Sequence, residues 1–147
     1  MEVVRVFFQL DDKKTDCVMI NTTQRGAITY FLHEKAYEIN NSEHCHVQGV
    51  AWDVMASQDG IINYSVTMYY KKDSEDATLK RSPAGYLKSN KIWFESVDGD
   101  SKDDFEEKLK RKIKSFTNVH SITQKAFEVE GKIQYFAIIT HSDGYQK

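Results

Sequence analysis

The 147-residue chain has one proline, Pro83, and only two cysteines, Cys17 and Cys45, which form no CxxC pair. Without such spacing there is no sign of a disulfide or zinc framework, so stability must come from a hydrophobic core and the thiols are expected to be reduced. No apolar run reaches the roughly 18 residues that cross a bilayer, and the opening Met1-Glu2-Val3-Val4-Arg5 has no secretory pattern. These absences predict a soluble, cytoplasmic protein with no membrane partner. An excess of one charge is also missing: 20 Lys and Arg stand against 22 Asp and Glu, a formal net charge of -2. That balance argues against nucleic acid as a partner, because its binders usually carry a strong basic excess. Arginine is scarce beside lysine, with only Arg5, Arg25, Arg81 and Arg111. Together with plentiful Asn, Ile and Tyr, this usage suits an AT-rich bacterial or bacteriophage genome. Nucleophile elbows, phosphate-binding glycine loops and HExxH motifs are absent from the sequence.

What the chain does contain is enough apolar residue, 40%, to build a core. A chain of this length can bury about two-thirds of its unfolded surface. Residues 2–10 alternate, with Val4, Val6, Phe8 and Leu10 on one side, which predicts a strand. A polar turn at residues 11–14 would join it in a hairpin to a second strand at 16–20. Ile28, Phe31, Leu32, Ala36 and Ile39 then recur at helical intervals, predicting about four turns of helix capped by Asn21, Thr22 or Thr23 and ended by Asn40-Asn41-Ser42. Alternating runs at 47–56 and 61–70 flank Ser57-Gln58-Asp59-Gly60, and an Asp-Gly step between such runs signals a hairpin.

The segment 71–90 breaks this pattern with Lys72-Asp73-Ser74-Glu75-Asp76 and Ser82-Pro83-Ala84-Gly85 and reads as a linker or mobile loop. A strand at 91–97 and a turn at 98–101 lead to a second helix. Ser101 three residues before Asp104 resembles a capping box, and Phe105, Leu109, Ile113 and Phe116 form one face. Acids crowd the start of this helix and Lys108, Lys110, Arg111, Lys112 and Lys114 its end, which matches the helix dipole. This basic run reads best as a solvated face, though it could meet phosphate groups. Strands at 119–129 and 132–141 follow, joined at Glu130-Gly131.

Both halves therefore read strand, helix, strand, strand, and the last strands align from Gly60–Met68 to Gly131–Ile139. The predicted class is α+β, with two such units in one domain, residues 1–70 and 91–147, preceded by an extra N-terminal strand. Ile62, Tyr64, Val66 and Met68 correspond to Ile133, Tyr135, Ala137 and Ile139, a shared face expected to meet a helix. The opposite faces differ: Asn63, Ser65 and Thr67 are polar, whereas Gln134, Phe136 and Ile138 are largely apolar. An exposed Phe136–Ile138 pair would be costly, so that face is expected to meet another sheet, another subunit or a ligand.

The strand carrying Trp52, followed by Gly60 and Tyr64-Ser65-Val66-Thr67-Met68, resembles dodecin, a family of small strand-helix-strand-strand flavin-binding proteins. The resemblance spans residues 22–70 and recurs more faintly over 92–141. It implies that Trp52 would stack on the isoalloxazine ring and that Ser65 or Asn63 stands near the position of the family's glutamine. Flavin is thus the one cofactor suggested. From the residues themselves, Trp52, Ser65 and Tyr69 with Lys71, Lys72, Lys80 and Arg81 form a candidate site for an anionic or aromatic ligand, and Phe136 and Ile138 a candidate interface.

His44-Cys45-His46 is the densest metal-capable cluster, but neighbours on an extended segment point to opposite sides, and a polar connection explains it better. Asp98-Gly99-Asp100 begins like a calcium loop and then lacks its remaining ligands, so helix capping accounts for it. These features predict a non-enzymatic, homo-oligomeric protein that holds a small nucleotide-like or aromatic anionic ligand. The rival expectation is a protein-interaction module, such as a phage-encoded inhibitor of a host protein.

Overall fold

The computed structural model describes residues 14–72 and 91–143. The strand expected at 2–10, nearly all of the expected linker, and Lys80 and Arg81 lie outside the described residues. Strand β1, Lys14–Thr22, turns Val18 and Ile20 toward the core, and Met19, on the opposite face, is exposed. Helix α1, Arg25–Asn40, buries Ile28, Phe31, Leu32, Ala36 and Ile39, the residues its periodicity selects. Its start differs from expectation. Asn21 and Thr22 are the last residues of β1, so Gln24 takes the cap position without a side-chain bond, and the Thr22 hydroxyl instead accepts from the Gln24 N–H at 3.0 Å. The pull of strand pairing, which extends β1 to Thr22 opposite Tyr64, overrides local capping preference here.

Strand β2, Cys45–Ala56, and strand β3, Ile62–Lys72, form the expected hairpin, whose turn is closed by Gly60 at φ 83° and a Gly60 N–H to Ser57 carbonyl bond of 3.0 Å. The second unit repeats the plan: β4, Trp93–Gly99; α2, Lys102–Lys114; β5, Val119–Val129; and β6, Lys132–His141. Ser101 caps α2, its side chain accepting from the Asp104 N–H at 3.2 Å. Glu130 and Gly131 both have positive φ, the requirement of a type I′ hairpin turn.

The fold is α+β, with two strand-helix-strand-strand units and two three-stranded antiparallel sheets ordered β1-β3-β2 and β4-β6-β5. The repeat extends to an irregularity. Each second strand bulges near its start, between Val47 and Gly49 in β2 and between Val119 and Ser121 in β5, and these positions coincide once the shorter second turn is allowed for. Among the described residues no helix is long and apolar enough to cross a membrane.

One core cluster draws on both units: the inner face of the first sheet, α1, and Phe94, Phe136 and Ile138 of the second sheet. A second cluster lies on the other face of the second sheet, where Val97, Ala137 and Ile139 meet Phe105, Leu109 and Ile113 of α2. The shared face read from the repeat does meet a helix in each unit, although Ile133 lies outside the second cluster and is 46% exposed. Phe136 and Ile138, each 1% exposed, face the first unit of the same chain; Phe136 lies 5.2 Å from Trp52 and 5.3 Å from Tyr64, ring centre to ring centre. They are therefore not available as an interface to a separate molecule.

Helix α1 runs along β4, and residues four apart on one helical face meet the strand progressively nearer its start. Arg25 pairs with Asp98 at 3.2 Å, the Thr29 hydroxyl shares a 2.9 Å bond with Ser96, and His33 Nε2 meets Glu95 at 3.1 Å. At its end, buried Asn40 donates to the Ile92 carbonyl at 2.8 Å and accepts from the Val47 N–H at 3.0 Å, while Lys91 donates to its carbonyl. On the far side Trp52 Nε1 donates to the Thr123 hydroxyl at 2.7 Å, and Lys125 bonds Asp53.

Candidate functional site

Lys108, Arg111, Lys112 and Ser115 are spaced i, i+3, i+4 and i+7, which places them in one stripe along α2. The stripe faces β4, and with Ser96, Val97 and Asp98 it encloses an open groove of about 360 Å³. The turn 98–101 swings α2 back over β4 so that the stripe and the strand run side by side. Gly99 permits that approach, because a Cβ there would sit 2.6 Å from the Phe105 Cβ and 2.7 Å from its Cα.

Three cations line the groove, while the carboxylate of Asp98 turns to the other face of β4, where it pairs with Arg25. Lys108 lies 3.2 Å from Asp104, Arg111 3.5 Å from Glu107, and Lys112 4.0 Å from Glu95. Pairs whose cation stands at the surface are worth only about 0–1 kcal/mol each, so an entering anion can displace them. The Lys108 ammonium also donates to the Asp98 carbonyl at 3.4 Å. Behind the strand, burial opposes ionisation of Glu95, yet the His33 hydrogen bond and the charges of His33, Lys112 and His141 hold it below the ordinary carboxylate range. Glu95 therefore stays charged and helps fix Lys112 at the rim.

Among the described residues, those singled out from the sequence are not brought together. Trp52 stands opposite Val66, on the inner face of the first sheet, edge-on to Phe136. Ser65 and Tyr69 stand opposite Asp53 and Gly49, on the outer face. Alternation along β2 and β3 thus separates the aromatic from the polar half of the expected site. Tyr69 covers Gly49, where a Cβ would come within 2.7 Å of the phenol oxygen. Lys71 and Lys72 end β3 opposite His46 and Cys45, and none of these residues lines the groove. Around His44, Cys45 and His46, as elsewhere among the described residues, no group of three or more His, Cys, Asp or Glu is placed to hold a metal ion.

The groove's cations were visible in the sequence as a basic run, but Ser96 and Asp98 carried no signal, since their role depends on where α2 lands. Compared with protein-family models, curated proteins and solved structures, the chain finds no match.

Proposed function

We propose that the protein is a non-enzymatic binding protein for a small anionic ligand, held in the groove between α2 and β4. The observation that carries this reading is the convergence of Lys108, Arg111 and Lys112 on one concavity. Its volume lies within the range of about 300–1,000 Å³ usual for small-molecule sites. Charge-assisted bonds from Arg and Lys are the strongest non-covalent contacts a surface groove can offer a phosphate. Flavin, the ligand implied by the dodecin resemblance, would require Trp52, which already meets Phe136 and Thr123. The Phe136–Ile138 face, which in a single unit would call for a second subunit, is covered by the first unit of the same chain.

The test is thermal melting of the full chain in rising pyrophosphate, since a ligand that binds only the folded state raises Tm with its concentration. The expected result is a concentration-dependent rise that the double substitution Arg111→Glu, Lys112→Glu abolishes, with pyrophosphate recovered unhydrolysed. No rise, or an equal rise in the double variant, overturns the reading. The alternative, a protein-interaction module, is favoured by the outer face of the first sheet, where Met19, Met55 and Tyr69 are exposed. Capture of one stoichiometric host protein by the wild type and by the groove variant alike would support that alternative.

A further inference from the structure

Resting on the groove as an anion site, we infer that its ligand is a short acidic peptide in extended conformation, which adds a strand to the outer edge of β4 and sets alternate carboxylates against α2. The case begins with the direction of the main chain. Strands β5 and β6 are joined by the turn Glu130-Gly131, and so tight a turn makes its flanking pair, Val129 and Lys132, exchange hydrogen bonds. Alternation along β6 then points the main-chain groups of Tyr135, Ala137 and Ile139 the other way, toward β4. Their partners there are Gly99, Val97 and Glu95, so Ser96 and Asp98 turn their N–H and C=O groups away from the sheet. The Lys108 bond to the Asp98 carbonyl, at 3.4 Å, agrees with that direction. Both side chains turn to the first unit, Ser96 to Thr29 and Asp98 to Arg25, so what these two residues offer the groove is main chain. Among the described residues β4 is an edge of its sheet, with no strand paired on that side.

An edge of outward N–H and C=O groups is a template for an added strand, and the cations beside it select which strand. Lys108 reaches β4 at Asp98 and Lys112 reaches it at Glu95, so the stripe on α2 runs alongside the edge. Four residues of α-helix rise about 6 Å. Residues two apart on an extended chain are separated by about 6.7 Å and point to the same face. An acid at every second position of the added strand therefore meets Lys108 and Lys112 in turn, with Arg111 between them along the helix. Acids at adjacent positions would send one carboxylate to the opposite face, toward the first unit, where Arg25 is already paired with Asp98. The cations thus read charge and spacing, while the edge of β4 reads main chain.

The experiment is calorimetric titration of the full chain with pyrophosphate and with threonine-based pentapeptides blocked at both ends. One peptide carries aspartate at its second and fourth positions, and its isomer carries the same two aspartates side by side. Two further forms of the alternating peptide are N-methylated, one on its odd and one on its even residues. The alternating peptide is expected to bind about tenfold more tightly than its isomer, because only it turns both carboxylates to α2. One N-methylated form, the one blocked on the side that faces β4, should lose about tenfold in affinity while the other keeps it. Equal binding of the two isomers overturns the inference, and so does retention, or loss, of binding by both N-methylated forms alike, since a strand offers β4 one side only. Binding of pyrophosphate with none of the peptides overturns it too and leaves the anion site standing. Binding of neither pyrophosphate nor any peptide removes the underlying anion reading as well.

Discussion

At the scale of single residues, the described structure is held by a few side chains whose work the sequence does not announce. Asn40 ends α1 as its position suggests, but it is also buried and uses both ends of its amide to join β2 and the approach to β4. A buried amide so satisfied helps fix one arrangement of its neighbours, because any other would leave it unpaired. His141 is a second case. It is fully buried, its ring stacked on Phe116 at 3.9 Å, and its Nδ1 accepts from the Asp143 N–H at 3.2 Å. Burial pushes its pKa below 6.5, the charges of Asp143 and Glu95 opposing and those of His33 and His120 adding to the effect. The unfolded imidazole therefore takes up a proton before the folded one does, and stability present above pH 6.5 is lost as pH falls below it. Glu95, held below its ordinary range, adds a further loss below about pH 4.5. Urea midpoints measured from pH 7.5 to 5 should fall for the wild type and fall less steeply for His141→Gln. Parallel slopes would show that the buried imidazole is not the group responsible.

At the scale of elements, local chemistry predicts well where it acts alone. Helix α2 has its cap, its acids first and its bases last, and i,i+4 pairs Lys102–Glu106, Lys108–Asp104, Lys110–Glu106 and Arg111–Glu107 along its surface. Phe105 is its one fully buried residue, with Leu109 and Ile113 partly buried beside it, so the cap adds to a modest packed face. Ser101→Ala should cost about 1 kcal/mol by chemical denaturation, with the loss of helicity confined to α2. A change below a few tenths would mean that packing, not capping, fixes its start. Helix α1 is the contrast, since its cap was misplaced by one to three residues. The Asn21-Thr22-Thr23 run offers good caps, but cross-strand pairing of Asn21 with Ser65 and Thr22 with Tyr64 claims two of them first. Both hairpins were legible because their turns need positive φ and the sequence supplies Gly60 and Gly131 there.

At the scale of the whole molecule, the second unit joins the first through the face on which its sequence departs from the repeat, Phe136 and Ile138. Phe136 meets Trp52 and Tyr64 across the junction. Phe136→Ala should therefore destabilise the protein by about 3–5 kcal/mol in urea unfolding. Ile133→Ala, on the same strand but exposed, should change it by no more than about 0.5 kcal/mol. Similar effects at the two positions would show that the junction is not cooperative with the rest of the fold. The sequence by itself determined the two strand-helix-strand-strand units, the faces of their strands and the need to cover Phe136 and Ile138. Periodicity and turn chemistry are local, and burial of apolar surface is favourable whatever provides the cover. Tertiary structure alone decided that the cover is the other unit, and that Trp52 and Ser65 look in opposite directions. It also decided that a basic stripe which would be equally content in water forms one wall of a groove against Ser96 and Asp98. A lysine stripe looks the same in sequence whether it faces solvent or a cleft, because the difference lies in what is packed opposite it.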